Sequence, residues 1–447
     1  MSVARSLAEY VTRSSYADLP DQTVDHAAMM IASTIASAAC GKEIQSAAII
    51  RELVQERGGR PDATVWFESG PKLPAIHAAR INAVMSDAAA SDDSDLRNIT
   101  HAGTPLTVTT LAIAERTGAS GQDVLAAMVL GYEAAGRIGE SITPGFRQRG
   151  FHACLVASFN AAVAAGLLLK LDVDQMTHTI ALNATSVGGL IKAADTSVAR
   201  EYHAGLATML GIDAAMAAQK GFTGEADILE MPGGFCDTYG GSDSAGILQS
   251  WGEDWDIITD MAIKLVPGSH FQHAMAEAAA NAARKGSIAA GDIASITLSR
   301  PGMTAIDGPR HPENLIDMAH SAAYFMAAGA ADHDFTWAHA TPEKIADPVI
   351  HGLIDKVQIG PEPTENIAAY RQGATVTIET TDGKSVTDTV LVPNGAGQRG
   401  IDWADIDAKY RTLAPAALNA EQVEASLAVI HDFRKVSNVS DLTGLLA

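Results

Sequence analysis

Apolar residues recur at helical spacing through most of the first 285 positions, broken by short polar loops. Leu106 to Glu115 reads as a buried helix stopped by Gly118. Gln122 to Gly139 reads as another, and its Gly131, Gly136 and Gly139 mark close packing or a functional constraint. Asp174 is placed to cap a helix to Ser186, and Ala204 to Gln219 ends at Gly221. One short strand, Thr64 to Phe67, interrupts the series.

After Gly286 the period shortens. Ser295 to Ser299 and Lys356 to Ile359 are β-rich, and Ala374 to Thr380 faces Lys384 to Val392 across Asp382-Gly383, a strong hairpin signal. Helical stretches, Glu313 to Gly329 and Thr341 to Asp355, alternate with these strands. Trp403 to Leu413 and Ala420 to Phe433 then return to helix. The expected organisation is a large helical domain over 1–286, an α+β domain over 287–400, and C-terminal helices over 401–447 that pack back on the first.

Composition sharpens this picture. Of 447 residues 47% are hydrophobic and only 5% aromatic, so the core is built from small and aliphatic side chains suited to close-packed helices, and an all-β fold is disfavoured. The net charge of −22 argues against a nucleic-acid or anionic-membrane binder, which needs a basic surface. The longest uncharged runs are rich in Ala and broken by Ser, Thr or Asn, unlike a membrane span. Met1 to Arg5 leads into an amphipathic stretch with Glu9 and Arg13, so no secretory signal is read. Cys40, Cys154 and Cys236 show no CxxC spacing, which fits a reducing cytoplasm and gives no zinc knuckle.

The chain lacks GxxxxGK[ST], HExxH and GxSxG motifs. Its one GxGxxG, Gly395 to Gly400, follows a hairpin strand and precedes helix, and reads as a plain loop. The chemistry-bearing residues lie in short loops: Asp92-Asp93-Ser94 with His101, Gly150-Phe151-His152, Arg200 with His203, Lys264 through His270 to His273, and Ser321 with Tyr324. Each has a structural reading. A histidine at a helix start can be a hydrogen-bonded structural group, Asp92-Asp93-Ser94 a capping turn, Lys264 a snorkelling side chain, Arg200 part of a solvated face and Tyr324 core. His270 and His273 could share a helix face on a metal, but no matching ligand spacing accompanies them. Taken together, imidazoles, an ammonium, a guanidinium and a phenol suit proton transfer on an anionic substrate. Removing a proton beside a carboxylate builds negative charge that fixed cations such as Arg200 and Lys264 hold, and histidine is the natural base near neutrality.

These residues, with Gly131-Tyr132-Glu133, Gly205, Gly221-Phe222-Thr223-Gly224 and Pro267, give the chain a resemblance to the MmgE/PrpD family from about Leu7 to Leu413. That family includes 2-methylcitrate dehydratase, cis-aconitate decarboxylase and iminodisuccinate epimerase. The resemblance implies a helical domain with a smaller α+β lid domain, a homodimer, a small polycarboxylate substrate, and catalysis without metal or organic cofactor. It implies His101, Lys264, His152 and Tyr324 as catalytic residues, with His101 the first candidate for base or acid. Asp93, Ser94, Arg200, His203 and His273 are implied in substrate binding. Ser94 stands in place of the family's usual Thr. Ala90, Asp95, Ala102, Arg200 and His270 stand where the family usually has Asp, His, Pro, Lys and Arg. Arg200 binds a carboxylate well but is a poor proton donor, so the pattern points first to α-deprotonation and reprotonation, an epimerase. Dehydration comes second and decarboxylation third; a catalytically silent dimer that binds an anionic metabolite is the non-enzymatic alternative.

Overall fold

The protein is described by a computed structural model covering residues 1–241 and 244–447. It divides into two compact units, Met1–Ile263 with Ile401–Ala447, and Lys264–Gly400. The architecture is mainly α with a smaller α+β unit.

The first unit is a stack of helices. Asp21–Gly41, Ala75–Ala88, Gly103–Thr117, Gly121–Ser141 and Cys154–Leu168 are buried along most of their length, and Ala199–Gln219 along one face. Cys154–Leu168 is apolar on all sides, and accordingly it packs against Gly121–Ser141, Ala199–Gln219 and Gly103–Thr117 at once. Two glycines make this possible. A Cβ on Gly131 would stand 3.1 Å from the carbonyl oxygen of Asn160, and one on Gly211 only 2.4 Å from that of Ser158. The close packing expected around Gly131 is therefore present.

Helix boundaries follow capping chemistry. Gly118 ends Gly103–Thr117 in the left-handed conformation at φ 74°. Asp172, two residues before the expected Asp174, caps Val173–Thr185 in a reciprocal pair with Gln175. The strand expected over Thr64 to Phe67 does not form. Only Ala63 bridges, to Leu73, while Thr64 gives its backbone N–H to Glu115 and Trp66 gives its own to the Asn82 side chain. A small antiparallel pair that alternation did not reveal joins β1 (Asp93–Asp95) to β2 (Met261–Ile263), with Asp93 opposite Ile263.

The second unit carries a four-stranded sheet of β3 (Ile293–Ser299), β4 (Val357–Ile359), β5 (Ala374–Thr380) and β6 (Ser385–Val390), in the order β4-β3-β5-β6. The β5–β6 hairpin turns at Asp382-Gly383 with Gly383 at φ 86°. The two long helices expected here are each broken. Ser321 interrupts the first and caps Ala322–Asp332, and Asp347-Pro348 splits the second into Pro342–Ile345 and Pro348–Ile354. The GxGxxG segment forms a short turn over Gly397–Arg399.

The boundary between units falls at 263/264 rather than at 286. His270–Gly286 presents an alanine face that packs on Ala322–Asp332 and on β5 and β6, so it belongs with the sheet. Residues 401–447 lie with the first unit, where Trp403–Leu413 packs on Asp21–Gly41. Among the described residues no helix is long and apolar enough to cross a membrane.

Candidate active site

The first unit gathers five of the polar residues of the loop set, Asp92, His101, His152, Arg200 and His203, into one place. The connection after Ala75–Ala88 carries Asp92, whose side chain is fully buried, and Asp92 Oδ2 stands 2.7 Å from His101 Nδ1. A carboxylate on an imidazole nitrogen fixes the ring's orientation and tautomer, the arrangement of an acid–base histidine. His101 keeps 19% side-chain exposure, enough to reach a bound molecule.

Arg200 enters from the first turn of Ala199–Gln219, which packs on Ala75–Ala88. Asp87, in the last turn of the latter, holds it twice: Nε lies 2.9 Å from Asp87 Oδ2, and Nη2 donates to the Asp87 carbonyl at 2.6 Å. Burial opposes its charge, but Asp87, Asp92 and Glu201 outweigh that and raise its pKa. It is a fixed cation rather than a proton source. The neighbouring Glu201 is pushed up to about 7, chiefly by burial.

His152 precedes Cys154–Leu168 on a loop tied down by backbone: its N–H donates to Gly189 O at 2.9 Å, Phe151 bridges Leu190, and Ile191 N–H donates to Gly150 O at 2.9 Å. Burial, reinforced by His101, His203 and Arg200, holds its pKa well below the ordinary value, so it is neutral at pH 7. The His203 ring lies 5.3 Å from it, and burial lowers its pKa too. A recess of about 20 Å³, room for about one water-sized group, is lined by Asp87, His101, His152, Cys154 and Arg200. A larger pocket of about 300 Å³ shares Cys154 with it and is lined by His203, Tyr202, Gly188 and Gly189.

Asp93, expected in substrate binding, is buried at a helix start. Both its oxygens accept from the Gly103 N–H at 2.9 Å, so it caps Gly103–Thr117, the turn reading of this motif. Ser94 is buried in β1, opposite Ala262.

Lys264, His273 and Tyr324 belong to the second unit. Lys264 is buried and follows β2 directly. His270 and His273 are buried with ring centroids 4.6 Å apart, in the first turn of their helix, and do not form a metal-ligand group among the described residues. Tyr324 departs from its expected role as donor. It is completely buried among Phe325, Phe335 and aliphatic neighbours, its hydroxyl donates to His339 O at 3.0 Å, and burial raises its pKa.

Three groups of the first unit escaped assignment from sequence. Asp92 was visible only as part of its motif. Asp87 is one of two charged residues, with Arg80, in the otherwise largely apolar helix Ala75–Ala88, a signal of a paired buried group. Lys409, 2% exposed on Trp403–Leu413, reaches the Asp92 loop from far along the chain. Its Nζ donates to Ser33 Oγ at 2.7 Å, to Ser91 O, and to Asp92 O at 3.4 Å. One helical lysine gives no local sign of that.

A carboxylate-backed imidazole beside a neutral histidine and a clamped guanidinium defines an acid–base site for an anion. The chain belongs to the MmgE/PrpD family: the model of its N-terminal domain matches residues 5–247 and that of its C-terminal domain residues 267–434. Relatives include cis-aconitate decarboxylase of Homo sapiens, 24% identical over 100% of this chain and 94% of that protein. The Mus musculus protein of the same name is 26% identical over 86% and 81%. A cis-aconitate decarboxylase-like protein of Aspergillus oryzae is 24% identical over 100% and 97%.

Proposed function

We propose that this protein is a lyase that removes CO2 from a small polycarboxylate, with cis-aconitate the first substrate to test. The observation that carries the reading is the Asp92–His101 pair at 2.7 Å in one recess with Arg200 and His152. Family membership and the decarboxylase relatives put decarboxylation ahead of the epimerase expected from the residue pattern alone.

In this reading Arg200, held by Asp87, binds a carboxylate that stays on the substrate. The bond from carbon to the departing carboxylate breaks, its electron pair passes into the conjugated system, and the His101 imidazolium delivers a proton to carbon. Asp92 stabilises the imidazolium before transfer, and solvent reprotonates the ring afterwards. Neutral His152 orients the anion without adding a competing acid. Dehydration fits less well, because a leaving hydroxyl needs its own proton donor and Arg200 is not one. Epimerisation is the second reading, since the Asp92–His101 pair suffices to remove and return one proton. A homodimer and a cytoplasmic location complete the proposal; sedimentation of the purified chain tests the first, fractionation the second.

Reaction in D2O separates the readings. Decarboxylation gives CO2 and a product carrying one carbon-bound deuterium; a gained double bond with loss of water would sink it in favour of a dehydratase, and deuterium uptake with loss of optical rotation in favour of an epimerase. Binding with no exchange at all would leave a silent anion-binding protein.

A further inference from the structure

Cys154 takes no part in that chemistry, yet it stands between two histidines. The ligand atoms of His152, Cys154 and His203 all lie within 4.8 Å of one another. In a tetrahedral zinc site, bonds of about 2.0–2.3 Å place such atoms about 3.4–3.6 Å apart, so small side-chain rotations close the set. The carrier is stiff. His152 and Cys154 flank the start of one buried helix, His203 sits in the first turn of another packed on it, and the backbone bonds between loops 150–152 and 189–191 lock the approach.

The donors suit a soft divalent ion. Imidazole and thiol are ligands such an ion favours, and the buried Nδ1 of each imidazole has no hydrogen-bond partner among the described residues. The thiol donates to Gly188 O at 2.9 Å, and burial pushes its pKa up to about 12, so without a cation it stays protonated. Gly189 leaves the space open: a Cβ there would meet Cys154 Sγ at 2.5 Å and His203 Nδ1 at 3.4 Å. The other three-residue group of this kind, Asp87, Asp92 and His101, differs because Arg200 and the imidazole already neutralise its carboxylates.

We propose that His152, Cys154 and His203 form a binding site for a thiophilic divalent cation such as Zn(II), and that its occupancy excludes substrate. Binding exchanges the thiol proton for the metal: the S–H bond breaks, an S–metal bond forms, and the proton leaves to solvent. Because His152 also lines the recess with His101 and Arg200, metal and substrate compete for one imidazole. Only this competition rests on the proposed activity; the metal site does not.

Titrating the full chain with Co(II) alone tests the site. The expected result is one ion per chain, a thiolate-to-cobalt charge-transfer band with tetrahedral visible bands, and about one proton released per ion. The band disappears in Cys154→Ser, binding weakens at least about tenfold in His203→Ala, and a Cys40→Ser, Cys236→Ser double variant keeps both. Absence of the band in the wild type, or its survival in Cys154→Ser, overturns the proposal. If Cys154→Ser fails to fold by circular dichroism, the more exposed His203→Ala decides, and unchanged affinity there overturns it. Once a turnover assay exists, Zn(II) raises KM with little change in kcat; inhibition indifferent to substrate concentration removes the competition while leaving the site.

Discussion

His101 and Arg200 are each held by a buried carboxylate, and removing either carboxylate has a distinct signature. In Asp92→Asn the His101 ring loses its charged partner while shape is kept. Turnover is expected to fall by about 10²–10³-fold, within the range that acid–base catalysis contributes, with KM nearly unchanged in steady-state kinetics. Arg200→Ala leaves Asp87 buried without its cation, at a cost of about 3–5 kcal/mol; Arg200→Lys retains the charge, loses the two-point hold, and raises KM before it lowers kcat. Tyr324→Phe separates core from catalysis. It removes one hydrogen bond, worth about 1 kcal/mol, so chemical denaturation detects a loss while kcat stays within about twofold, well inside the 10²-fold minimum of an acid–base role. A larger fall in kcat restores Tyr324 as a donor. At this scale the histidines stood out because loops carry chemistry, whereas the local partners of Asp93 and Tyr324, the Gly103 N–H and the His339 carbonyl, were not legible in the sequence. A capping carboxylate and a binding carboxylate share the same residue type, and only the Gly103 N–H distinguishes them.

The helices were read well where a strong stop was present, as at Gly118, and poorly where tertiary partners decide. Thr64 and Trp66 have strand-forming neighbours, but their N–H groups are taken by Glu115 and Asn82. The three-residue strands β1 and β2 are too short for alternation to show. Trp403–Leu413 forms as the helix expected, but nothing in its pattern showed that it delivers Lys409 under the Asp92 loop. Lys409→Met keeps the stem and removes the ammonium. Stability is expected to drop by about 1–3 kcal/mol, from carbonyls and a hydroxyl left without a donor, and activity to fall with it. Unchanged turnover in a folded Lys409→Met protein would make the lysine purely structural.

Over the whole molecule the −22 charge coexists with buried acids that do not ionise readily. Asp95 is pushed up to about 6, first by burial and then by Asp260, against the opposing pull of Arg97. An acid raised in the folded state stabilises fully below its unfolded pKa of about 3.9 and loses that contribution as pH rises through about 6, a difference of about 3 kcal/mol. Asp95→Asn keeps the oxygen that accepts from Arg97 N at 2.8 Å and cannot ionise. Its stability relative to wild type is therefore expected to grow between pH 5 and 7, measured as the difference between two urea midpoints at each pH. A constant difference would mean that Asp95 is already ionised in the native state. The two-unit plan itself was visible in the change of period, but the place of His270–Gly286 was not, because an alanine face fits a helical stack and a sheet equally well.

The return of residues 401–447 to the first unit also imposes an order of events. During synthesis the Asp92 loop leaves the ribosome long before Lys409 exists, and the Leu446 carbonyl that receives the Phe67 N–H comes later still. The loop that carries Asp92 is thus propped only by a residue far along the sequence. A protein ending near residue 400 carries the residues of the recess without the lysine that props the Asp92 loop.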